Sequence, residues 1–450
     1  MDQKLKDFFE NSKTHGEIKN ELYKKYSVKN GLRNEDGTGV LVGLTRISDV
    51  VGYRRGENNE KIDDYGKLFY RGIDVKDIIN EAHYEDACLF EEVCFLILFG
   101  YLPNKDDFEN FRHTLSHKYK LPKGFLESEI LRFPTENLMN KMQKDVLTLY
   151  GYDKTPDDIS LDHILDQGLH VVAKIPSLVC YNYMSKIHFF DKKSMFIHHN
   201  DPERSIAENI LYMLRADQKY TRKEAEVLDV ALVLHADHGG GNNSTFVNVV
   251  MSSTGTDIYS SFAGSIGSLK GPKHGGANLK VCAMLESVIE EIGFTKDVEV
   301  IRSIIKRIMN KDFYDNSGLI YGMGHAVYTL SDPRSEILKE KARELAKEKD
   351  ILDEFEFYDL FEQIAKEEMY RVKGIRVTSN VDFYSGFVYK MLGIPKELYT
   401  LLFVCARSIG WLAHNLESQM YSGKIVRPAT KYVGEIQNYI PIEERGKNNE

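Results

Sequence analysis

Apolar residues recur at spacings of three and four along most of the chain from residue 207 onward. Such spacing lines one face of a helix, so it predicts a series of amphipathic helices. The clearest stripes are Val281, Met284, Leu285, Val288 and Ile292; Ile301, Ile304, Ile305 and Ile308; and Leu360, Phe361, Ile364 and Ala365. Two further segments, 224–234 and 399–414, are apolar almost all round, which predicts helices buried among other helices.

Strand-like alternation is confined to residues 40–53 and 67–71, and the polar stretch 56–66 between them predicts a hairpin turn. The part richest in glycine and histidine, 235–276, interrupts the helical pattern together with 318–325. A site built on helix ends is expected there, because glycine lets the backbone approach a ligand closely. The fold class is predicted to be mainly α, with a small N-terminal β hairpin.

The composition is that of a globular protein. Of the 450 residues, 42% are hydrophobic and 28% are charged, which excludes a globally disordered chain. The length of 450 residues suffices for two or three domains. The net charge of −9 argues against a protein that coats nucleic acid or an acidic membrane, although a local basic pocket for a small anion is compatible with it. The longest apolar run, 93–102, is far shorter than the roughly 20 residues that cross a bilayer.

The five cysteines lie far apart and form no CxxC pair: Cys88, Cys94, Cys180, Cys282 and Cys405. This spacing is expected of reduced thiols rather than of a disulfide framework or a zinc ribbon. The N-terminus shows neither a secretory apolar region nor the acid-poor, Arg-rich pattern of a transit peptide. A cytoplasmic location is therefore expected.

The first motif, LHADHGGGNNS at 234–244, follows the buried helix directly. Its two histidines, His235 and His238, are three residues apart, which on a helix puts both on one face. Two neutral imidazoles at this spacing can bind zinc, as in a zinc hydrolase, although the glutamate of an HExxH site is absent. The alternative is a helix C-cap with structural histidines.

The second motif, LKGPKHGGAN at 269–278, places His274 between glycines just before a predicted helix. A helix N-terminus favours a neutral imidazole, and such an imidazole can donate a hydrogen bond to a carbonyl. The alternative is a turn that happens to contain a histidine.

The third motif is YGMGHAVY at 321–328, followed by DPR at 332–334. Here His325 can polarise a carbonyl and the planar fork of Arg334 can clamp a carboxylate. The spacing matches neither a Walker loop nor a dinucleotide-binding GxGxxG in its strand–turn–helix context, so nucleotide hydrolysis and hydride transfer lose support.

The fourth motif, SNVDFYSG at 379–386, surrounds Asp382 with apolar and aromatic neighbours. Partial desolvation raises the basicity of a carboxylate, which suits a general base, whereas the alternative is that Asp382 is a helix N-cap. Arg407 lies in an apolar helix, where a charge needs a partner, and Arg427 in IVRP has the usual pattern of a surface residue.

Taken in order, HADHGGGNNSTF, GSLKGPKHGGAN, YGMGHAVY with DPR, NVDFYSG, ARSIGWLAH and VRP resemble the citrate synthase family. The N-terminal segments GVLVGLTRISDVVGY and LFYRGIDV extend the resemblance over most of the chain. It implies a citrate synthase-like two-domain helical fold and a homodimer. The implied large domain comprises residues 1–275 and 387–450, and the small domain, which closes over the substrates, comprises 276–386.

The resemblance implies condensation of acetyl-CoA with oxaloacetate and water to citrate and CoA, an acyl transfer of the tricarboxylic acid cycle that needs no metal and no cofactor besides the coenzyme A substrate. A 2-methylcitrate synthase, which uses propionyl-CoA, is the close alternative. One extra methylene is worth only about 1 to 3 kcal/mol of discrimination, so the sequence does not separate the two.

The resemblance also implies roles for seven residues. Asp382 would remove a proton from the thioester methyl group, His274 would hydrogen-bond the thioester oxygen, and His325 would polarise the ketone of oxaloacetate. The carboxylates of oxaloacetate would be held by His238, Arg334 and Arg407, together with the partner subunit's Arg427.

Three positions depart from the family pattern. Gly239 stands where many members carry an acid, and a change confined to that loop is expected. Ala326 and Thr329 stand where many bacterial members carry basic side chains, so contacts to the CoA phosphates are expected from other lysines such as Lys373.

Overall fold

The structure is a computed structural model that describes residues 2–58, 60–83 and 87–445, without the side chains of residues 14 and 15. Within these residues the chain forms one small antiparallel sheet and seventeen α-helices. The helices are α1 Gln3–His15, α2 Asn20–Lys25, α3 Val75–Glu81, α4 Leu89–Phe99, α5 Lys105–Ser116, α6 Leu138–Leu149, α7 Leu161–Phe189, α8 Ile206–Leu214, α9 Arg222–His235, α10 Asn243–Ser252, α11 Ile258–Leu269, α12 Ala277–Ile292, α13 Val298–Met309, α14 Pro333–Glu348, α15 Leu352–Lys373, α16 Val381–Met391 and α17 Tyr399–Tyr421. The predicted mainly α class is confirmed.

The sheet confirms the predicted hairpin but shifts its boundaries. Strands β1 Ser48–Arg55 and β2 Lys61–Tyr70 pair antiparallel, and the short β3 Ile73–Asp74 pairs with the end of β2. Residues 40–47 form no strand, and in this segment the side chains of Leu41 and Leu44 are 95% and 100% exposed. The alternation of apolar and polar residues alone predicted a strand there. The sequence does not show whether an apolar side chain has a neighbouring surface to pack against.

The apolar stripes become the core of the helical part. The stripe residues of α12, α13 and α15 are buried except at the margins, as their spacing predicted. The two segments that are apolar all round become α9 and α17, and α17 packs against α4, α7, α9 and α10. Helix α9 ends at the first motif, and α17 carries Arg407.

The expectation that residues 235–276 interrupt the helical pattern is wrong for much of that range. Helices α10 and α11 form within it and pack against each other. A Cβ atom at Gly264 would lie 2.1 Å from Met251 Sδ, so this glycine marks a close approach of two helices rather than a break. The segments 236–242, 253–257 and 270–276 are non-helical, and the first and last of them carry motif histidines.

The chain divides into two compact units. One consists of Met1–Val42 with Arg427–Glu450, and it includes α1 and α2; the other, Gly43–Val426, contains the sheet and α3–α17. The predicted division into 1–275, 276–386 and 387–450 stays a prediction, and residues 446–450 of its last segment lie outside the described residues. No helix in the described part of the chain is long and apolar enough to span a membrane.

Candidate active site

The loop after α9 is fixed by a buried carboxylate that the sequence analysis missed. Asp237 Oδ2 accepts hydrogen bonds from the backbone N–H of Gly239 at 2.9 Å and from the Ser48 hydroxyl on β1, and lies 3.2 Å from His414 Nε2 on α17. Gly239 has a φ of +81°, a conformation that an acidic residue adopts less readily, which explains the glycine at this position. The loop is thereby held between the sheet and α17.

Helix α9 ends at the first histidine of this motif, so the two histidines do not share one helix face. His235 is the last residue of α9, and its Nδ1 bonds the carbonyl of Ala231 at 2.7 Å inside that helix. His238 lies beyond the helix end, so the geometric premise of the zinc alternative is wrong. In the described part of the chain, no three or more His, Cys, Asp and Glu side chains form a cluster suited to a metal ion.

The hairpin contacts the third motif and the segment that follows it. A Cβ atom at Gly52 of β1 would lie 2.5 Å from the carbonyl oxygen of Val327, so the backbone of the strand touches the motif directly. The backbone N–H of Gly66 on β2 donates to Ser331 Oγ at 3.0 Å, and the Tyr328 hydroxyl donates to the carbonyl of Lys67 at 3.3 Å. The hairpin formed by β1 and β2 therefore positions the loop that carries His325.

His325 is held as a neutral imidazole in one tautomer. Its Nδ1 accepts hydrogen bonds from the backbone N–H groups of Val327 at 3.1 Å and Tyr328 at 3.2 Å. Burial, and then the charge of Arg334, lower the pKa of His325 to about 4, so the ring carries a single proton at neutral pH. Because Nδ1 is an acceptor, that proton is on Nε2, which makes Nε2–H a hydrogen-bond donor.

His238 packs edge-on against His325, with ring centroids 5.1 Å apart and planes at 86°. Its Nε2 is buried and has no hydrogen-bond partner among the described residues. Burial, followed by the charge of Arg334, holds the pKa of His238 well below its usual value. A buried, unpaired ring nitrogen is costly unless a ligand satisfies it, so this atom points to a polar ligand.

Arg334 carries a positive charge at the start of α14. Its Nε and Nη2 bond the two oxygens of Asp332, the N-cap of the helix, at 3.0 and 2.7 Å. Nη2 also lies 3.5 Å from His325 Nε2, and the guanidinium lies over the ring of Tyr328 at 5.6 Å. Because Nη2 and Nε2–H are both donors in the assigned tautomer, they do not bond each other but are suited to bind one anionic ligand, and Asp332 orients the guanidinium for it.

Arg407 lies fully buried in α17. Its Nε donates to the carbonyl of His235 at 2.7 Å and its guanidinium lies 4.7 Å over the ring of Phe403, while Nη1 has no partner among the described residues. Burial lowers its pKa to about 10, a value at which the group is still charged at neutral pH. A buried cation with an unused donor has the chemistry expected of an anion-binding group.

His274 lies in the loop between α11 and α12. Its Nε2 is 3.2 Å from the hydroxyl of Ser244, which also accepts a hydrogen bond from Trp411 Nε1 at 3.2 Å. Burial, and then the charge of Arg407, lower the pKa of His274 to about 4, so this imidazole is neutral as well. Phe403, which the sequence analysis missed, has its ring centroid 6.0 Å from that of His274.

Asp382 is not the N-cap of its helix, which corrects one of the two alternatives. The cap of α16 is Asn380, whose Oδ1 accepts the backbone N–H of Asp382 at 3.0 Å. The carboxylate of Asp382 makes no hydrogen bond to any described residue, and burial raises its pKa to about 6, against the lowering effect of Arg334. A carboxylate with this basicity and no partner is suited to accept a proton.

The structure thus brings six of the seven predicted residues into one electrostatically linked group. His238, His325, Arg334 and Asp382 are linked through Arg334, whereas His274 is linked to the group through Arg407. Arg427 is exposed and belongs to the other compact unit.

A cavity of about 330 Å³ lies apart from this group, beside α7. None of the seven predicted residues lines it. Two charged side chains of its lining are held by Lys118, which is not among the lining residues: Asp166 accepts from Lys118 Nζ at 2.6 Å, and Lys174 donates to the carbonyl of Lys118 at 3.0 Å. These contacts give the polar lining a structural role.

The six residues combine three chemical capabilities. Two neutral imidazoles, His274 and His325, are suited to donate hydrogen bonds to carbonyl oxygens. Two buried guanidinium groups offer sites for carboxylates, and Asp382 offers a base. This set suits the removal of a proton next to one carbonyl and addition of the resulting carbon nucleophile to another.

Comparison with known proteins agrees with this chemistry. The family model described as "Citrate synthase, C-terminal domain" matches residues 34–429. A citrate synthase of Haloferax volcanii is 33% identical over 90% of this chain and 97% of its own length, and a 2-methylcitrate synthase of Shewanella oneidensis is 33% identical over 84% and 92%.

Solved structures agree as well. A citrate synthase of Thermoplasma acidophilum, in ternary complex with carboxymethyl coenzyme A and oxaloacetate, superposes with a TM-score of 0.74 at 27% identity and covers 93% of this chain and 99% of its own. Since the match extends over nearly the whole chain in both sequence and fold, this protein belongs to the citrate synthase family.

Proposed function

We propose that the protein is a citrate synthase that condenses acetyl-CoA with oxaloacetate and water to give citrate and free CoA. The observation that carries this is that one site combines Asp382, an unpartnered carboxylate whose pKa is raised by burial to about 6, with a neutral His325 whose Nδ1 accepts two backbone N–H groups and so leaves Nε2–H as its donor. The experiment that tests it is release of the CoA thiol that depends on both oxaloacetate and acetyl-CoA.

In the first step, Asp382 takes a proton from the methyl carbon of acetyl-CoA. A mismatch of about ten pKa units between a carbon acid and a carboxylate costs about 14 kcal/mol, so the base alone is insufficient. The neutral His274 lowers this energetic cost by donating a hydrogen bond to the thioester oxygen as negative charge develops on that oxygen. The product of this step is the enol or enolate of the thioester.

In the second step, the enol carbon attacks the ketone carbon of oxaloacetate. The Nε2–H of His325 donates to the ketone oxygen and stabilises the alkoxide that forms there. We assign the carboxylates of oxaloacetate to Arg334, Arg407 and His238, which is supported by the unpaired Nη1 of Arg407 and the unpaired Nε2 of His238. Hydrolysis of the resulting thioester breaks its C–S bond and gives citrate and CoA.

We further propose that residues 276–386 form a small domain that closes over the substrates. The six site residues fall on both sides of this boundary: His238, His274 and Arg407 outside it, and His325, Arg334 and Asp382 within it. Closure would exclude water until the new carbon–carbon bond has formed, which protects acetyl-CoA from premature hydrolysis.

We infer that the active enzyme is a homodimer in which the partner subunit's Arg427 completes the oxaloacetate site. Support comes from the unit that contains Arg427, where large apolar side chains are exposed, among them Ile436 at 96% and Tyr439 at 83%. Exposed apolar side chains that form a contiguous patch mark protein–protein interfaces, which is the arrangement this proposal requires. The five free cysteines, as expected of a reducing compartment, support a cytoplasmic location.

The second candidate is a 2-methylcitrate synthase with propionyl-CoA as substrate. The similarity to such an enzyme favours it as the alternative, because both reactions use the same base, electrophile and carboxylate sites. We propose Lys373, exposed at the end of α15, as one contact for the CoA phosphates in either case.

A further inference from the structure

The two loops that carry His325 and Asp382 are joined as a short two-stranded ladder. The backbone N–H of Gly324 donates to the carbonyl of Thr378 at 2.7 Å, and that of Asn380 donates to the carbonyl of Gly322 at 2.9 Å. Met323 and Ser379 form an isolated antiparallel bridge between these bonds. The ladder ends where the two functional residues begin, one residue before His325 and two before Asp382.

One side chain closes the end of this ladder. The Oδ1 atom of Asn380 accepts the backbone N–H of Asp382 at 3.0 Å, and its Nδ2 donates to the carbonyl of Gly324 at 3.0 Å. The carbonyl of Gly324 belongs to the peptide group that links it to His325. A single rigid carboxamide therefore holds both the backbone of the base and the backbone next to the electrophile.

We propose that Asn380 is a positioning residue that sets the separation between Asp382 and His325. This inference rests on the proposed function, in which Asp382 generates the carbon nucleophile and His325 polarises the ketone that it attacks. The new carbon–carbon bond forms only when the two substrates are at the right distance, and an error of about 1 Å costs as much as 100-fold in rate. Asn380 does not touch the substrates in this proposal.

The geometry separates this role from ordinary helix capping. Serine is about as good an N-cap as asparagine, so Asn380→Ser keeps a side-chain oxygen for the N-terminus of α16. The serine hydroxyl is too short to reach the carbonyl of Gly324 at the same time. The substitution therefore breaks the tie between the two loops while it preserves the cap, and Asn380→Ala removes both.

The test compares the complete reaction with its first half. Proton abstraction alone is measured as deuterium exchange into the methyl group of acetyl-CoA in D₂O, with a 2-hydroxydicarboxylate in place of oxaloacetate so that no condensation follows. For Asn380→Ser we expect exchange within about twofold of the wild type, an unchanged KM for oxaloacetate, and a kcat for CoA release about 10- to 100-fold lower. For Asn380→Ala we expect exchange to fall too.

The matched control is Asn104→Ser, because Asn104 also caps its helix, α5, through Oδ1, which accepts the N–H of Asp107 at 2.9 Å, without contacting the site residues. Its kcat should equal that of the wild type. A wild-type kcat for Asn380→Ser would overturn the proposal. A parallel fall of exchange and condensation in this variant would overturn it too, since that result would mean that Asn380 serves proton abstraction by Asp382 rather than the separation between Asp382 and His325. Failure of the proposed function is distinguishable, because the wild-type protein would then release no CoA.

Discussion

The imidazole of His238 meets that of His325 edge-on, with centroids 5.1 Å apart and both rings kept neutral by burial and by Arg334. Two protonated rings at this distance from each other and from a guanidinium would repel strongly. The neutral state leaves each ring with one donor and one acceptor. The backbone N–H groups of Val327 and Tyr328 occupy the acceptor of His325, Nδ1, so Nε2–H is its donor.

This tautomer predicts an asymmetry between two substitutions of His325. The amide of glutamine reaches about as far as Nε2 of histidine, whereas that of asparagine reaches only about as far as Nδ1. We expect His325→Gln to retain at least about tenfold more kcat than His325→Asn, because only the glutamine can present a donor where Nε2–H stood. Steady-state rates of CoA release measure this difference, and equal losses in the two variants would contradict the assigned tautomer.

The raised pKa of Asp382 predicts the acid side of the pH profile. The base acts only when deprotonated, and burial raises its pKa to about 6. The value of kcat/KM for acetyl-CoA is therefore expected to be constant above about pH 7 and to fall tenfold per pH unit well below pH 6. A fall that begins only near pH 4 would mean that Asp382 has the pKa of an ordinary solvated carboxylate.

The unpaired Nη1 of Arg407 predicts a substrate-binding defect rather than a folding defect in Arg407→Lys. Lysine keeps the charge but loses the planar fork, so one or more charge-assisted hydrogen bonds to oxaloacetate are lost. We expect the KM for oxaloacetate to rise about 10- to 100-fold, as the loss of such a bond implies. The control Arg371→Lys, at an exposed position in α15, should leave KM unchanged.

The proposed contribution of Arg427 across the dimer predicts complementation between two inactive variants. Arg427→Ala lacks the arginine and Asp382→Asn lacks the base, so each homodimer should be inactive. A mixed dimer would contain one complete site, made from the Asp382 of one subunit and the Arg427 of the other. Refolded together in equal amounts, the two should regain about a quarter of wild-type activity. No regain from a mixture shown to contain mixed dimers would place Arg427 within its own subunit's site.

Much of the site could be predicted from the sequence, because its parts lie in short motifs next to glycines. Asp382, His274 and His325 stand out as polar residues in such surroundings, and the structure links each of them to a buried arginine. The choice between base and N-cap at Asp382 was not decidable from the sequence. It depends on which of two neighbouring residues, Asn380 or Asp382, reaches the free N–H groups of the helix.

The residues that sequence reasoning missed act through contacts distant in the chain. Asp237 joins the loop after α9 to Ser48, which is 189 positions away, and to His414 on α17. The ring of Phe403 on α17 lies with its centroid 6.0 Å from that of His274, in the loop before α12. Such partners are set by packing between helices, which periodicity does not encode.

The most direct test of the proposed reaction is thiol release by the purified protein with oxaloacetate and either acetyl-CoA or propionyl-CoA. We expect release that requires oxaloacetate, equals the citrate formed, is unchanged by a metal chelator, and has a higher kcat/KM with acetyl-CoA. A higher kcat/KM with propionyl-CoA would assign the protein as a 2-methylcitrate synthase. Thiol release without oxaloacetate, or none with either thioester, would contradict the condensation itself.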